Sequence, residues 1–276
     1  QYKILSSEIS IRRSDASLID IIPLDEKDIN DYSFGYGGII DNNETENTII
    51  SAKDKVIDIA LVGNPNAGKT SLFNAISGLK EKVGNYSGVT VDAKKTIVEY
   101  QGYKFNIIDL PGTYSISAYT NEESYVRKYL FDQNPDVVIN VIDSSNLERN
   151  LFLTTQLIDM DIKMVIALNM YDELKDKNDK FDYKLFGKMI GSPLVPTQAN
   201  KKKGISKLLD SAIEVYEGTN KYYRHIHINY GETIERCLNK ISSKIRESRN
   251  YSEKVAARYY AIRLLEKDKE IIEEIE

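Results

Sequence analysis

The stretch G-N-P-N-A-G-K-T, from Gly63 to Thr70, constrains this chain more than any other feature. It matches G-x-x-x-x-G-K-[S/T], a pattern in which glycines let consecutive backbone N–H groups point at an anion. An apolar run of strand type precedes it (56–63) and a helical pattern follows it (71–76), which is the context the motif requires. A glycine-rich turn could match by chance, but the Lys-Thr pair and this context together favour a phosphate-binding loop.

The loop residues have distinct predicted roles. The Lys69 ammonium would reach the outer phosphates, and the Thr70 hydroxyl would ligate Mg²⁺. The backbone N–H groups and the helix N-terminus favour the remaining negative charge. The predicted nucleotide contacts of this segment are Gly63, Asn64, Pro65, Asn66, Ala67, Gly68, Lys69, Thr70 and Ser71.

The chain after residue 56 alternates between strand and helix patterns. Residues 137–143 and 164–170 are continuous apolar runs, typical of strands buried on both faces of a mainly parallel sheet. Residues 96–109 predict a hairpin that turns at Gln101-Gly102, and residues 147–160 have apolar side chains at helical spacing. The pattern predicts a doubly wound α/β fold, whose ligands bind at the carboxyl ends of the strands.

A second motif selects the base. N-M-Y-D, from Asn169 to Asp172, closes a predicted strand and matches the N-x-x-D pattern of GTPases. The Asp172 carboxylate would accept hydrogen bonds from guanine N1–H and the 2-amino group, whereas adenine offers no such pair of donors. An ordinary strand-to-helix loop is the alternative, but the position after a phosphate loop favours guanine recognition. Asn169, Met170 and Asp172 are the predicted contacts.

Two further segments complete the predicted phosphate site. In D-L-P-G, Asp109 would hold Mg²⁺ through water and the Gly112 N–H would contact the γ-phosphate. In G-V-T-V-D, Thr90 is the candidate for a second hydroxyl on Mg²⁺. The predicted contacts here are Gly88, Val89, Thr90, Asp109, Leu110, Pro111 and Gly112.

The segment P-T-Q-A-N-K-K-K-G-I (196–205) occupies the place of the S-A-x-x-G-x-G-I element of GTPases. Gln198 replaces the serine, and Ala199 keeps the small residue beneath the base. We expect both to contact the nucleotide, with the backbone reading the guanine oxygen. The run Lys201 to Lys203 is interpreted as a solvated loop rather than a patch for nucleic acid or lipid.

Composition limits the other possibilities. The net charge of −5 gives no footprint for nucleic acid, and no run approaches the roughly 18 apolar residues needed to span a bilayer. The single cysteine, Cys237, fits a reducing compartment; a buried thiol in a helix is favoured over a reactive one. The histidines of R-H-I-H-I could bind a metal from one strand face, but a half-exposed strand is favoured because no third ligand is evident.

The four motifs and the helical tail resemble the cytosolic G domain of the prokaryotic ferrous iron transporter FeoB, over about residues 56–276. The G-V-T-V-D and D-L-P-G-T-Y-S segments separate this family from other GTPases. The resemblance implies a Ras-like P-loop GTPase fold at 56–217, with GTP or GDP and Mg²⁺ as ligands. The helical domain at 218–276 is similar to one that slows GDP loss. The protein would lie on the cytoplasmic face of the inner membrane, and the natural chain would continue past Glu276 into membrane-spanning helices.

Residues 1–21 resemble the closing strand of the small SH3-like FeoA protein, over about a dozen residues. The resemblance implies a remnant of a fused FeoA-type domain, joined to the G domain by an acidic linker at 22–55. A FeoA-type domain, fused or separate, is therefore an expected partner, and no nucleic acid is expected.

Two departures bear on catalysis. Met170 stands where most GTPases have a lysine, and Thr113 follows Gly112 where Ras-like enzymes have a glutamine that orients water. The resemblance implies a K⁺ ion with Asn66 as its ligand, although Asn66 as a plain loop residue is the alternative. The predicted catalytic residues are Asn66, Lys69, Thr90 and Gly112.

Two other functions are left open by the sequence. An RNA-associated GTPase of ribosome assembly or tRNA modification can share the loop motif and K⁺ dependence. It should carry a basic domain, yet residues 221–276 hold 12 Lys or Arg against 10 Asp or Glu. A nucleotide-sensing scaffold that does not hydrolyse GTP is the third possibility, and multiple-turnover phosphate release separates it from both enzymes.

Overall fold

The computed structural model describes residues 2–4, 7–9, 39–41, 55–78, 93–117, 120–172, 181–248 and 255–275. The predicted segment G-V-T-V-D lies outside these ranges. By its internal contacts the chain divides into two units, residues 1–34 and residues 35–276. Within the first unit, strands β1 (Tyr2–Ile4) and β2 (Ser7–Ile9) pair antiparallel.

A six-stranded sheet organises the second unit. Its strands are β4 (Val56–Gly63), β5 (Lys94–Tyr100), β6 (Tyr103–Asp109), β7 (Val137–Asp143), β8 (Met164–Asn169) and β9 (Leu194–Pro196), in the order β5-β6-β4-β7-β8-β9. Only the β5–β6 pair is antiparallel. The predicted α/β class with a mainly parallel sheet is confirmed.

Alternation along the strands places one core on each face of the sheet. From β4, Ile59 and Leu61 join the core with helices α1 (Lys69–Ser77) and α5 (Ile205–Glu217). Ala60 and Val62 face the opposite core, with α2 (Asn121–Gln133) and α3 (Leu147–Asp159). Because both faces are covered, these strands read as continuous apolar runs.

The predicted hairpin is present and turns where the sequence indicates. Gln101 has φ 49° and Gly102 has φ 79°. A two-residue hairpin with positive φ at both central residues is a type I′ turn, which matches the right-handed twist of the strands. The turn sets β5 at the outer edge and brings β6 next to β4.

The C-terminal part adds a small helical layer to the α2–α3 face. It comprises α6 (Glu232–Arg246), α7 (Ala257–Leu265) and α8 (Lys269–Ile275), with α4 (Tyr183–Met189) lying earlier in the chain. Leu238 and Tyr259 enter the same core as α2 and α3. Strand β10 (Ile226–Ile228) precedes α6 and pairs antiparallel with β3 (Ile39–Asp41), which lies inside the predicted linker. The domain boundaries stay predictions.

One expectation in this layer is wrong. Cys237 lies on α6 but is exposed, not buried. The helix has a narrow apolar stripe, in which Leu238 and Ile245 are buried, and Cys237 precedes Leu238 by one residue, about 100° around the helix. Ile234, one turn before Leu238 on the same helix, is 46% exposed. Within the described ranges, no helix is both long and apolar enough to cross a membrane.

Candidate nucleotide-binding site

The predicted site residues converge at one edge of the sheet. Strands β4, β6 and β8 are parallel, and their last residues are Gly63, Asp109 and Asn169. The loops that follow these strands carry the phosphate motif, D-L-P-G and N-M-Y-D. Strand order thus assembles residues far apart in sequence, as expected for the carboxyl edge of a doubly wound sheet.

The phosphate loop curls between β4 and α1. Asn66 and Gly68 adopt left-handed conformations, with φ 68° and 85°, and the Ala67 N–H donates to the Asn64 carbonyl at 3.2 Å. Alternating right- and left-handed residues form a concave row of N–H groups that binds anions. The Asn66 side chain is exposed, while the Asn64 amide is buried and donates to the Arg149 carbonyl at 3.1 Å.

Lys69, Thr70 and Asp109 form a polar cluster at the start of α1. Lys69 Nζ lies 3.8 Å from Asp109 Oδ1, and Thr70 Oγ1 donates to Asp109 Oδ2 at 3.0 Å. Burial lowers the pKa of Lys69, partly offset by Asp109. Burial likewise raises the pKa of Asp109, against the opposing effects of Lys69 and Thr70. Desolvation of the two charged groups therefore outweighs the attraction between Lys69 and Asp109. An anion bound beside Lys69 and a cation bound beside Asp109 would each stabilise the charged form of that side chain.

The same cluster fits a magnesium ion. Asp109 Oδ1 is buried and has no hydrogen-bond partner within the described part of the chain. Thr70 contributes a hydroxyl beside it. Carboxylate and hydroxyl oxygens are the protein ligands that Mg²⁺ takes at phosphate sites, so the donor set matches this ion.

The D-L-P-G segment packs directly on the phosphate loop. A Cβ atom on Gly112 would lie 3.0 Å from Pro65 Cα, a tight contact that the Pro65 backbone would have to relieve by moving slightly. The Thr113 N–H donates to the Gly63 carbonyl at 3.1 Å. The Thr113 hydroxyl is buried and donates to the Ser115 carbonyl. Thr113 is therefore engaged in local structure and does not replace the water-orienting glutamine.

The Asn169 side chain, at the end of β8, links two other loops. Its Nδ2 donates to the Ala67 carbonyl at 3.0 Å, and its Oδ1 accepts from the Ala199 N–H at 3.2 Å and the Thr197 hydroxyl at 3.4 Å. The Ala199 N–H, which belongs to the segment whose backbone is expected to read the guanine oxygen, donates to Asn169 in this structure. Asn169 fixes the distance between the phosphate loop and the predicted base loop.

Asp172 lies at the rim of the site and is ion-paired. Its Oδ2 is 2.7 Å from Lys201 Nζ. Met170 has φ 55°, and its carbonyl accepts from the Ser144 hydroxyl at 2.8 Å. Sequence reasoning missed Ser144 and Lys201: Ser144 follows β7 with no motif around it, and Lys201 sits in a lysine run that reads as a solvated loop.

The remaining predicted residues fall into two groups. Leu110 is buried, Pro111 is half-buried, Ser71 is exposed on α1, and the Gln198 Oε1 is buried with no hydrogen-bond partner within the described ranges. Gly88, Val89 and Thr90 lie outside the described residues, so their roles stay predictions.

The histidine pair has a structural setting away from this edge. His225 Nδ1 lies 2.6 Å from Asp161 Oδ1, which raises the pKa of His225. Burial lowers the pKa of His227, which lies on β10. The expected half-exposed strand is present. The described residues contain no group of three or more His, Cys, Asp or Glu side chains that could hold a metal.

Fold and site together define a class. The class is that of the P-loop GTPases. Its features here are a strand–loop–helix with G-x-x-x-x-G-K-T, an aspartate at the end of the adjacent strand, and N-x-x-D at the end of β8. Two family models match within this chain, "Ferrous iron transport protein B" over residues 57–212 and "FeoB cytosolic helical domain" over residues 230–276. The chain belongs to the FeoB family.

Curated proteins similar to this chain carry the same family name. The chain is 45% identical over 293 residues to the Fe(2+) transport protein A/Fe(2+) transporter FeoB fusion protein of Porphyromonas gingivalis, covering 98% of this chain and 34% of that protein. It is 38% identical to the Fe(2+) transporter FeoB of Campylobacter jejuni, covering 74% of this chain and 35% of that protein. The chain thus spans about a third of the length of these relatives.

Solved structures of related proteins are also similar to this chain. The cytosolic domain of the T. maritima FeoB iron transporter in a GDP form is 36% identical, covers 79% of this chain and 85% of that chain, and gives a TM-score of 0.71. NFeoB from S. thermophilus bound to GDP, AlF4⁻ and K⁺ is 39% identical, covers 80% and 83%, and gives a TM-score of 0.68.

Proposed function

We propose that this chain is the GTP-binding and GTP-hydrolysing module of a prokaryotic ferrous iron transporter. The observation that carries the proposal is the convergence of Lys69, Asp109 and Asn169 at one sheet edge. Solved relatives that hold GDP, or GDP with AlF4⁻ and K⁺, support the same ligands here. The membrane-embedded transporter region, ferrous iron as cargo and a location on the cytoplasmic face belong to the proposal for the whole protein.

Each cluster has a role in this proposal. The N–H groups of the phosphate loop and Lys69 neutralise the phosphates. Asp172 accepts hydrogen bonds from the guanine donors. Around the base, the floor of the site is formed by Asn169, Gln198 and Ala199. Thr70, Thr90 and Asp109 would hold Mg²⁺, which neutralises developing charge on the transferred phosphate. The Gly112 N–H would donate to the γ-phosphate, so attack by water is favoured by positioning and electrostatics.

Asn66 is proposed as a K⁺ ligand. Its side chain is exposed at the left-handed corner of the phosphate loop, so its amide oxygen is accessible. Thr113 cannot orient water while its hydroxyl is bonded to Ser115. A monovalent cation next to the phosphates would supply the positive charge that other GTPases take from an arginine finger. Turnover should therefore be slow and stimulated by K⁺ over Na⁺.

Thr90 is proposed as the residue that distinguishes GTP from GDP. With GTP and Mg²⁺, its hydroxyl would be drawn onto the metal, ordering the loop around residues 85–92. Residues 218–276 would act as a regulator of GDP release. Residues 1–21 would be the remnant of a FeoA-type domain, an interpretation supported by the fusion relative that covers nearly the whole chain.

Steady-state phosphate release tests the proposal. The chain is assayed with GTP or ATP, in KCl or NaCl at matched ionic strength, alongside filter binding to RNA. We expect multiple turnover with GTP but not with ATP, and faster phosphate release in KCl than in NaCl. We expect the chain to retain no RNA on the filter. Asn66→Ala should lose the K⁺ response and keep GDP affinity.

Other results would point elsewhere. Absence of multiple turnover, with tight GTP binding, would indicate a sensing scaffold. Tight RNA binding would favour an RNA-associated GTPase. Equal rates of GTP hydrolysis in K⁺ and Na⁺ would contradict only the proposed role of Asn66 as a K⁺ ligand and would leave the GTPase assignment intact.

A further inference from the structure

We infer that Lys201 is a positioning residue for guanine recognition, holding the Asp172 carboxylate in the orientation that accepts the base. The inference rests on the proposed function, because it assigns a task to a residue of that same site. Lys201 lies in the segment 196–205, where its lysine run predicts only a solvated loop. Its role is therefore argued from the geometry of its contact with Asp172.

The contact is close and joins two loops. Lys201 Nζ lies 2.7 Å from Asp172 Oδ2, with side chains 53% and 30% exposed. Lys201 ends the 3₁₀ turn Ala199–Lys201, and its N–H donates to the Gln198 carbonyl at 3.0 Å. The ammonium therefore projects from an ordered turn and reaches across to the loop after β8.

The two loops are also joined beneath this ion pair. The Tyr171 N–H donates to the Thr197 carbonyl at 3.4 Å, and the Ala199 N–H donates to Asn169 Oδ1 at 3.2 Å. One backbone hydrogen bond, one bond from a backbone N–H to a side chain, and the Lys201–Asp172 ion pair thus join the two loops. Of these three links, the one from Lys201 touches the carboxylate predicted to read guanine.

Carboxylate chemistry allows the ion pair and the base to coexist. An ionised carboxylate offers two oxygens with about four lone-pair sites. Guanine would use two, for N1–H and the 2-amino group, and Lys201 uses one. A rim aspartate left to solvent would sample several rotamers, and ordering it on binding costs free energy. A carboxylate already held by Lys201 avoids part of that cost.

The neighbouring Met170 makes this support more important. Most GTPases carry a lysine at that position, whereas the Met170 thioether supplies no charge. In the described part of this chain, Lys201 of the opposite loop places a cation beside Asp172. If Lys201 instead blocked the carboxylate, guanine would have to displace it, and removing the lysine would tighten binding. The two roles therefore predict opposite signs.

The experiment compares Lys201→Gln with Lys201→Arg and a charge-matched control. Lys207→Gln removes one exposed charge from the first turns of α5. Calorimetry gives dissociation constants for GDP and for inosine diphosphate, which lacks the 2-amino group. Lys201→Gln should weaken GDP binding about 2- to 5-fold, the range that exposed ion pairs contribute. It should also lower the GDP-to-inosine-diphosphate preference, while Lys201→Arg restores both and Lys207→Gln changes neither.

A double-mutant cycle tests whether Lys201 acts through Asp172. In an Asp172→Asn background, assayed with xanthosine diphosphate, adding Lys201→Gln should leave affinity unchanged because the ion pair is already absent. An equal loss in both backgrounds, an unchanged base preference or tighter GDP binding in Lys201→Gln would overturn the role of Lys201. Equal affinity of the unsubstituted chain for GDP and ADP would instead contradict the proposed function itself.

Discussion

Asn169 has a larger structural role than its place in N-x-x-D indicates. Its side chain bonds the Ala67 carbonyl, the Thr197 hydroxyl and the Ala199 N–H. The approach is so close that a Cβ on Gly68 would lie 2.2 Å from Asn169 Nδ2. Gly68 therefore serves two requirements, a left-handed backbone and space for a neighbouring side chain.

We predict that Gly68→Ala lowers both stability and nucleotide affinity, because the new methyl group displaces Asn169. Gly218→Ala is the matched control. Gly218 also has positive φ, 74°, but apart from its chain neighbours no described residue has an atom within 4 Å of the position that a Cβ would take there. The control should lose about 1 kcal/mol of unfolding free energy, from backbone strain alone. Chemical denaturation and GDP calorimetry distinguish the two; equal effects of both substitutions would refute the packing argument.

At the scale of elements, α7 contacts the segment that follows D-L-P-G. Arg263 Nη1 donates to Ser117 Oγ at 3.1 Å, and Ser117 Oγ lies 2.6 Å from Ser115 Oγ. Gln156 of α3 donates to both serine hydroxyls, at 3.1 and 3.3 Å. A continuous set of hydrogen bonds thus connects the helical layer to the loop that packs on the phosphate site.

We predict that this contact influences GDP release. Arg263→Gln and Ser117→Ala should each accelerate GDP dissociation, by about 2- to 30-fold if the coupling is of usual size, because each frees the segment after D-L-P-G. Their effects should not add, since both remove the same bond. Arg236→Gln, in the exposed pair with Glu232 on α6, is the control.

Stopped-flow measurements with a fluorescent GDP analogue give the rates. Unchanged dissociation in both variants, with the fold intact by circular dichroism, would make the helical layer a spacer rather than a regulator.

The elements themselves were largely predictable. Strands β4, β7 and β8 are buried on both faces, so their apolar runs stand out, and the Gln101-Gly102 turn carries its own backbone signal. Long-range polar contacts were not predictable. Nothing near Arg263 or Lys201 in sequence indicates Ser117 or Asp172, because those pairings arise only when the sheet and helices have packed. The prediction for Cys237 failed for a similar reason: apolar spacing locates a helix but not the width of its buried face.

At the scale of the whole molecule, a buried carboxylate joins α3 to the C-terminal layer. Asp159, at the end of α3, accepts from the Tyr230 hydroxyl at 2.6 Å, and its Oδ1 has no hydrogen-bond partner among the described residues. Burial raises the pKa of Asp159 to about 6, against the opposing effects of Tyr230, Arg258 and Arg263. Ionisation of Asp159 therefore destabilises the contact between α3 and the C-terminal layer.

The sign of the pH dependence follows. Between about pH 4 and pH 6 the folded chain keeps a proton on Asp159 that the unfolded chain has lost, so stability falls as pH rises through this window. We predict that Asp159→Asn reduces that fall, by up to about 3 kcal/mol at about 1.4 kcal/mol per pKa unit. Denaturant unfolding at several pH values measures it, with the exposed Asp132→Asn on α2 as control. An unaltered slope in Asp159→Asn would contradict the assignment.

Base selectivity tests the central claim most directly. In competition calorimetry, the unsubstituted chain should bind GDP far more tightly than ADP or xanthosine diphosphate, because the Asp172 carboxylate accepts two guanine donors. Asp172→Asn should reverse the preference toward xanthosine diphosphate, whose 2-oxo group accepts from the new amide. Equal binding of GDP and ADP by the unsubstituted chain, or an undiminished GDP preference in Asp172→Asn, would contradict the account.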